Sequence, residues 1–133
     1  MLVALTDENH VHFAKAMQWL HGPGYSDWGV CALTESSLLR LLTNPKVGSL
    51  SIEVASEVLA SLIHHPGYRF WPINDDWTTL AAPFIDRVYG HQQITDAYLL
   101  GLAIKEDGVL VTMDKAITFL AGKKYSRNVL VLE

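Results

Sequence analysis

The chain has almost no sulfur chemistry and no long apolar run. Its one cysteine, Cys31, excludes an internal disulfide and fits a reducing, cytoplasmic setting. No apolar stretch approaches the roughly 18 to 20 residues that a membrane span needs, so no membrane partner is expected. Met1-Leu2-Val3-Ala4-Leu5 is too short for a signal-peptide core and has no basic residue ahead of it. Positive charge is not in excess: the net charge of −4 argues against broad coating of nucleic acid. It leaves room for a local basic rim around an acidic pocket. No Ser–His–Asp order, glycine-rich phosphate loop or zinc-ligand spacing occurs. Internal repeats, low-complexity stretches and interdomain linkers are absent too, so residues 1–133 read as one domain.

What is present is a chain long enough for one real core, with half its residues hydrophobic. Leu2 to Leu5 reads as the end of a buried strand. From His10, Phe13, Ala16, Met17 and Leu20 fall on one helical face, which Gly22-Pro23-Gly24 ends. Trp28 to Ala32 reads as a strand. Thr34 is the N-cap candidate for a helix with Leu38, Leu41 and Leu42 inward, closed by Asn44-Pro45. A helix from about Ser51 to Leu62 turns Ala55, Val58, Leu59 and Leu62 inward. Tyr68 to Trp71 is a strand, and Thr78 to about Val88 is helical with a bend or break near Pro83.

The organising unit comes next. Thr95 is a good N-cap for a helix with Leu99, Leu102 and Ala103 on its apolar face. Gly108 stops that helix, and Val109 to Val111 is a short buried strand. A short helix near Ile117 to Leu120, a basic loop and a strand at Val129 to Leu132 complete the chain. Strands alternating with helices predict an α/β domain with a mainly parallel sheet.

Three acids stand out by position. Glu35 directly follows Thr34, Asp96 directly follows Thr95, and Asp114 follows a strand. Each lies where the carboxyl end of a strand meets a helix, so a parallel sheet would bring them to one rim. Converging carboxylates repel unless a cation sits between them. An all-oxygen pocket of this kind suits Mg²⁺ or Mn²⁺, which also hold phosphate oxygens. A plainer reading stands beside this one: an acid in the first turn of a helix is stabilised by the helix dipole whatever its function.

The same residues carry a resemblance. Thr34-Glu35 with Arg40 and Leu41-Leu42-Thr43-Asn44-Pro45, then Gln93-Ile94-Thr95-Asp96-Ala97-Tyr98-Leu99-Leu100, then Leu110-Val111-Thr112-Met113-Asp114, resemble the PIN-domain nucleases, in particular the VapC-type toxins of bacterial toxin–antitoxin pairs. The similarity covers nearly the whole chain, and Leu2-Val3-Ala4-Leu5 with His10 and His12 also fits it. The resemblance implies a three-layer α/β/α sandwich, a homodimer, metal-dependent cleavage of RNA and a cognate antitoxin. It makes Asp96 a direct metal ligand, Glu35 a support for the metal or the attacking water, and Asp114 a third acid. In that family the first strand carries an Asp-x-Asn whose aspartate is a primary ligand. Aligned on Leu2 to Leu5, that aspartate would lie about three positions before Met1, so the first strand is expected to be truncated.

Other polar residues have two readings each. Arg40, roughly one and a half turns after Glu35, contacts a scissile phosphate or holds a carboxylate, or else is a surface arginine. Lys115 is a candidate phosphate contact. Thr95 and Thr112 are candidates to orient carboxylates. Lys123, Lys124 and Arg127 guide RNA backbone or form a solvated loop. His10 and His12 are expected to point apart as surface or dimer residues. The leading reading is a Mg²⁺- or Mn²⁺-dependent endoribonuclease. The competing readings are a catalytically impaired module that keeps the dimer and antitoxin surfaces, and another acidic α/β phosphate enzyme.

Overall fold

Seven α-helices and four short strands make up most of the regular structure in a computed structural model that describes residues 1–133. In order they are α1 (Leu2–Thr6), α2 (Phe13–His21), β1 (Trp28–Val30), α3 (Ala32–Thr43), α4 (Ile52–Ile63), β2 (Tyr68–Phe70), α5 (Trp77–Ala81), α6 (Ile94–Lys105), β3 (Leu110–Thr112), α7 (Ile117–Ala121) and β4 (Val129–Val131). Both strand pairs are parallel, as alternating strands and helices require: β1 with β2, and β3 with β4. The expected parallel pairing is present, in two two-stranded ladders. The chain divides into two compact units, Met1–Ile73 and Asn74–Glu133, with one ladder in each.

In the first unit the expected strand at Leu2 to Leu5 is the helix α1. Four apolar residues do not distinguish a strand from a buried helix. A helix also satisfies its own backbone groups, with the Asp7 N–H and the Thr6 hydroxyl both donating to the Val3 carbonyl. Ala4 and Leu5 are buried, while Leu2 and Val3 pack on the core formed by Leu38, Leu42 and Ala55. Ala55 comes from α4, whose N-cap Ser51 accepts the Val54 N–H. Val58, Leu59 and Leu62 pack against the same core as expected. Leu41 does not join it; 41 % of that side chain is exposed. The residues i and i+4, Leu38 and Leu42, define the buried line of α3, and Leu41 falls beside it.

The histidines also differ from expectation. His10 and His12 precede α2 in a turn, where the His12 N–H donates to His10 Nδ1 and the rings lie 5.7 Å apart. They approach each other because the segment is not yet helical.

In the second unit the core is Phe84, Leu100, Ile117 and Leu120 with Ala81, Ala97 and Ala121. Helix α6 is buried on several sides: Ala97, Tyr98, Leu100, Gly101, Leu102 and Ala103 are all covered. The helix expected over Thr78 to Val88 is α5 followed by a 3₁₀ segment, Ala82–Arg87, with Pro83 at the change, as the proline predicts. After α6 it is Asp107, not Gly108, that takes the left-handed conformation (φ 52°). The Gly108 N–H then donates back to the Ala103 carbonyl.

Candidate carboxylate site

Glu35 owes its place to the start of α3. The N-cap is Cys31, not Thr34, and the helix begins at Ala32. Thr34 serves as the third helical residue: its hydroxyl accepts the Cys31 N–H at 3.0 Å and donates to the Cys31 carbonyl at 2.9 Å. This reciprocal arrangement satisfies backbone groups that the helix end leaves open. Glu35 follows, half-buried in the first turn, with its N–H donating to the Cys31 carbonyl. Its negative charge reaches Tyr68 on β2, whose hydroxyl is pushed above the ordinary tyrosine range by burial and then by Glu35. Arg40 is exposed in the last turn of the same helix.

Asp96 and Asp114 belong to the second unit. Helix α6 begins at Ile94 with Gln93 at the N-cap, so Thr95 is its exposed second residue and not the cap. The 3₁₀ turn His91–Gln93 runs directly into α6, which moves the start earlier than a Thr cap would. Asp96 is half-buried in the first turn. Asp114 is exposed, just past β3, in a turn held by its own carboxylate: Oδ1 accepts the Ala116 N–H at 2.8 Å. The Thr112 hydroxyl accepts the Asp114 N–H at 3.1 Å. Thr112 therefore fixes the backbone that carries the acid rather than the carboxylate itself. Lys115, next along, is exposed and pairs with Glu133 at 3.3 Å.

Asp96 senses the charge of Asp114. The Asp96 carboxyl is pushed above the ordinary aspartate value, first by burial and second by the negative charge of Asp114. A carboxylate that binds a proton more tightly because of a like-charged neighbour attracts other cations for the same reason. Hard oxygen donors of this kind fit Mg²⁺, Mn²⁺ or a similar ion that keeps part of its water shell. No three His, Cys, Asp or Glu side chains are grouped as a complete metal-holding set, and α1 itself contains no carboxylate.

Sequence reasoning missed Tyr68 beside Glu35. The signal lay in the parallel register, which sets Tyr68 opposite Trp28, three residues before the cap of α3. Their rings meet edge to face at 5.5 Å. Pairing register is not written in the local pattern of either strand.

Comparison with known proteins shows the family. A family model described as PIN domain matches residues 1–123. The chain is 35 % identical to Ribonuclease VapC44 of Mycobacterium tuberculosis over 124 residues, which cover 91 % of this chain and 86 % of that protein. It is 36 % identical to Ribonuclease VapC38 of the same organism over 125 residues, 92 % of this chain and 86 % of the relative. Ribonuclease VapC29 is likewise 36 % identical, over 124 residues, with 92 % and 86 % covered.

Proposed function

The chain belongs to the PIN-domain family, and from that premise we propose that it is a metal-dependent endoribonuclease, the toxin of a toxin–antitoxin pair, with Glu35, Asp96 and Asp114 as its working acids. The observation that carries this reading is the electrostatic coupling of Asp96 to Asp114 at the start of α6 and the end of β3. Two acids held in mutual repulsion favour a cation, and a phosphodiester brings charge that a cation offsets.

Asp96 and Asp114 would hold the ion as ligands, and Glu35 would support the ion or the water it activates. A divalent ion bound there supplies activation of water and neutralisation of charge on the phosphoryl oxygens. Mg²⁺ or Mn²⁺ is the ion that the donor chemistry suits best. Thr112 holds the Asp114 backbone in place, and Thr95 stands beside Asp96 in the first turn of α6. Lys115, exposed next to Asp114, contacts the RNA phosphates after leaving Glu133. Arg40 serves the same purpose near Glu35. The protein works as a homodimer in the cytoplasm, and its antitoxin covers the acids with a basic side chain.

A second reading, an impaired PIN module that keeps its dimer and antitoxin surfaces, is favoured by α1. That segment is helical and offers no carboxylate. One assay separates the two. The purified chain is incubated with RNA and Mg²⁺ or Mn²⁺, beside Asp96→Asn. Cleavage by the parent and none by the folded variant supports the enzyme. No cleavage by the parent under any divalent ion supports the binding module.

A further inference from the structure

Two large aromatic side chains of the second unit stand in water side by side. Tyr89 is 75 % exposed and Phe119 is 54 % exposed, yet their ring centroids are 5.9 Å apart with planes tilted by 34°. Each is tied through hydrogen bonds to a segment that carries one of the coupled aspartates. The Tyr89 N–H donates to Gln93 Oε1 at 2.6 Å, and Gln93 is the N-cap of α6, three residues before Asp96. Asp114 Oδ1 accepts the Ala116 N–H, and the Ala116 carbonyl in turn accepts the Phe119 N–H at 3.1 Å. Arg87 fixes the two backbones to each other by donating to the Leu120 carbonyl at 2.6 Å. The rings are thus held by a built framework while at least half of each stays exposed.

From this we infer that Tyr89 and Phe119 form a stacking platform for an unpaired base of the RNA, on segments hydrogen-bonded to those that carry Asp96 and Asp114. The inference rests on the ribonuclease reading and deepens it by assigning two side chains that would hold a base of the substrate. Bases in single strands expose their faces to aromatic side chains, and such stacking tolerates any sequence. Charge favours RNA over a protein partner here. Lys123 and Lys124, four and five residues after Phe119, are both exposed, and Lys115, four residues before it, is exposed and paired with Glu133. Lysine suits a phosphate backbone and is depleted at the core of protein interfaces.

The test uses the full chain carrying Asp96→Asn, so that bound RNA is not consumed, and a fluorescein-labelled single-stranded oligoribonucleotide read by anisotropy. Adding Tyr89→Ala or Phe119→Ala is expected to weaken binding about tenfold each. Tyr89→Phe and Phe119→Tyr keep a ring face and are expected to bind like the parent. The slope of affinity against salt stays the same, because no phosphate contact is lost. An oligonucleotide with abasic sites binds the parent weakly and shows no further loss with the alanine variants. Equal affinity of parent and alanine variants for intact RNA overturns the inference while leaving the nuclease intact. Unchanged RNA affinity with a shifted monomer–dimer equilibrium assigns the pair to a protein interface and also overturns it. A parent protein that neither binds nor cleaves RNA removes the ribonuclease reading itself.

Discussion

Asp96, in the first turn of α6, holds its proton more tightly than an ordinary aspartate because it is half-buried and because Asp114 lies near enough to repel its charge. The consequence for stability has a definite sign. A carboxyl whose folded pKa is raised contributes fully below its unfolded value, near 3.8, and loses that contribution as pH rises through the folded pKa. At neutral pH the ionised Asp96 therefore costs stability. Asp96→Asn is expected to raise Tm at pH 7, with the gain fading as pH falls toward 3. Thermal unfolding of both proteins across this range checks it, and a lower Tm for the variant at pH 7 contradicts it. The same substitution is expected to remove cleavage, so that stability and activity move in opposite directions.

The second prediction uses the ion. A ligand that binds only the folded state stabilises it by about 2.7 kcal/mol at one hundred times its Kd. Mn²⁺ or Mg²⁺ is expected to raise the Tm of the parent, and chelation is expected to stop RNA cleavage. Asp96→Asn and Asp114→Asn should each lose most of the ion-dependent rise. Calorimetric titration with each metal identifies the preferred ion. A rise of equal size in both variants would place the ion elsewhere.

The third concerns the residue behind Glu35. The Thr34 hydroxyl bonds both the N–H and the carbonyl of Cys31. Thr34→Ala leaves those groups without their partner at the end of a helix, a loss of roughly 1 kcal/mol on the scale of helix caps. Thr34→Ser keeps the hydroxyl and should keep most of the stability. Urea unfolding measures both. If Glu35 works in catalysis, Thr34→Ala lowers kcat beyond what the lost stability explains, because the first turn of α3 sets the position of that carboxylate.

Helices with long apolar patterns were legible in the sequence. Ala55, Val58, Leu59 and Leu62 line α4 as their spacing requires, and Ser51 caps it. Asp96 in a first helical turn and Asp114 just past a strand also followed from local pattern. The short strands near Trp28, Tyr68, Leu110 and Val129 were legible to within a residue or two, but Leu2–Thr6 became a helix, because four or five apolar residues suit a strand or a buried helix equally. Cap positions slipped for a similar reason. Thr34 and Thr95 carry the right chemistry, but Cys31 and Gln93 occupy the caps because each helix starts before its threonine. Tyr68 beside Glu35 depends on strand register, and Tyr89 beside Phe119 depends on how two turns meet. Neither relation is contained in one stretch of sequence.

The last prediction tests how closely α6, which carries Asp96, must approach α5. A Cβ on Gly101 would stand 2.2 Å from the Leu80 carbonyl oxygen and 2.9 Å from its Cβ. Alanine is the better helix former by about 1 kcal/mol. The obstacle is backbone, however, and cannot rotate away as a side-chain tip would. Overpacking of this kind costs typically 1 to 3 kcal/mol, so Gly101→Ala is expected to destabilise on balance despite its helix propensity. Gly90 provides the control. Nothing lies within 4 Å of the same atom there, and its backbone is extended (φ −177°), a conformation open to any residue. Gly90→Ala should leave stability unchanged or raise it slightly by restricting the unfolded chain. Urea midpoints compare the two. The Gly101 variant should also lose RNA cleavage under conditions where it remains folded, because displacing α6 moves Asp96 relative to Asp114. Full activity in Gly101→Ala would mean that the carboxylate pair tolerates movement of its helix, against the close coupling on which the metal site depends.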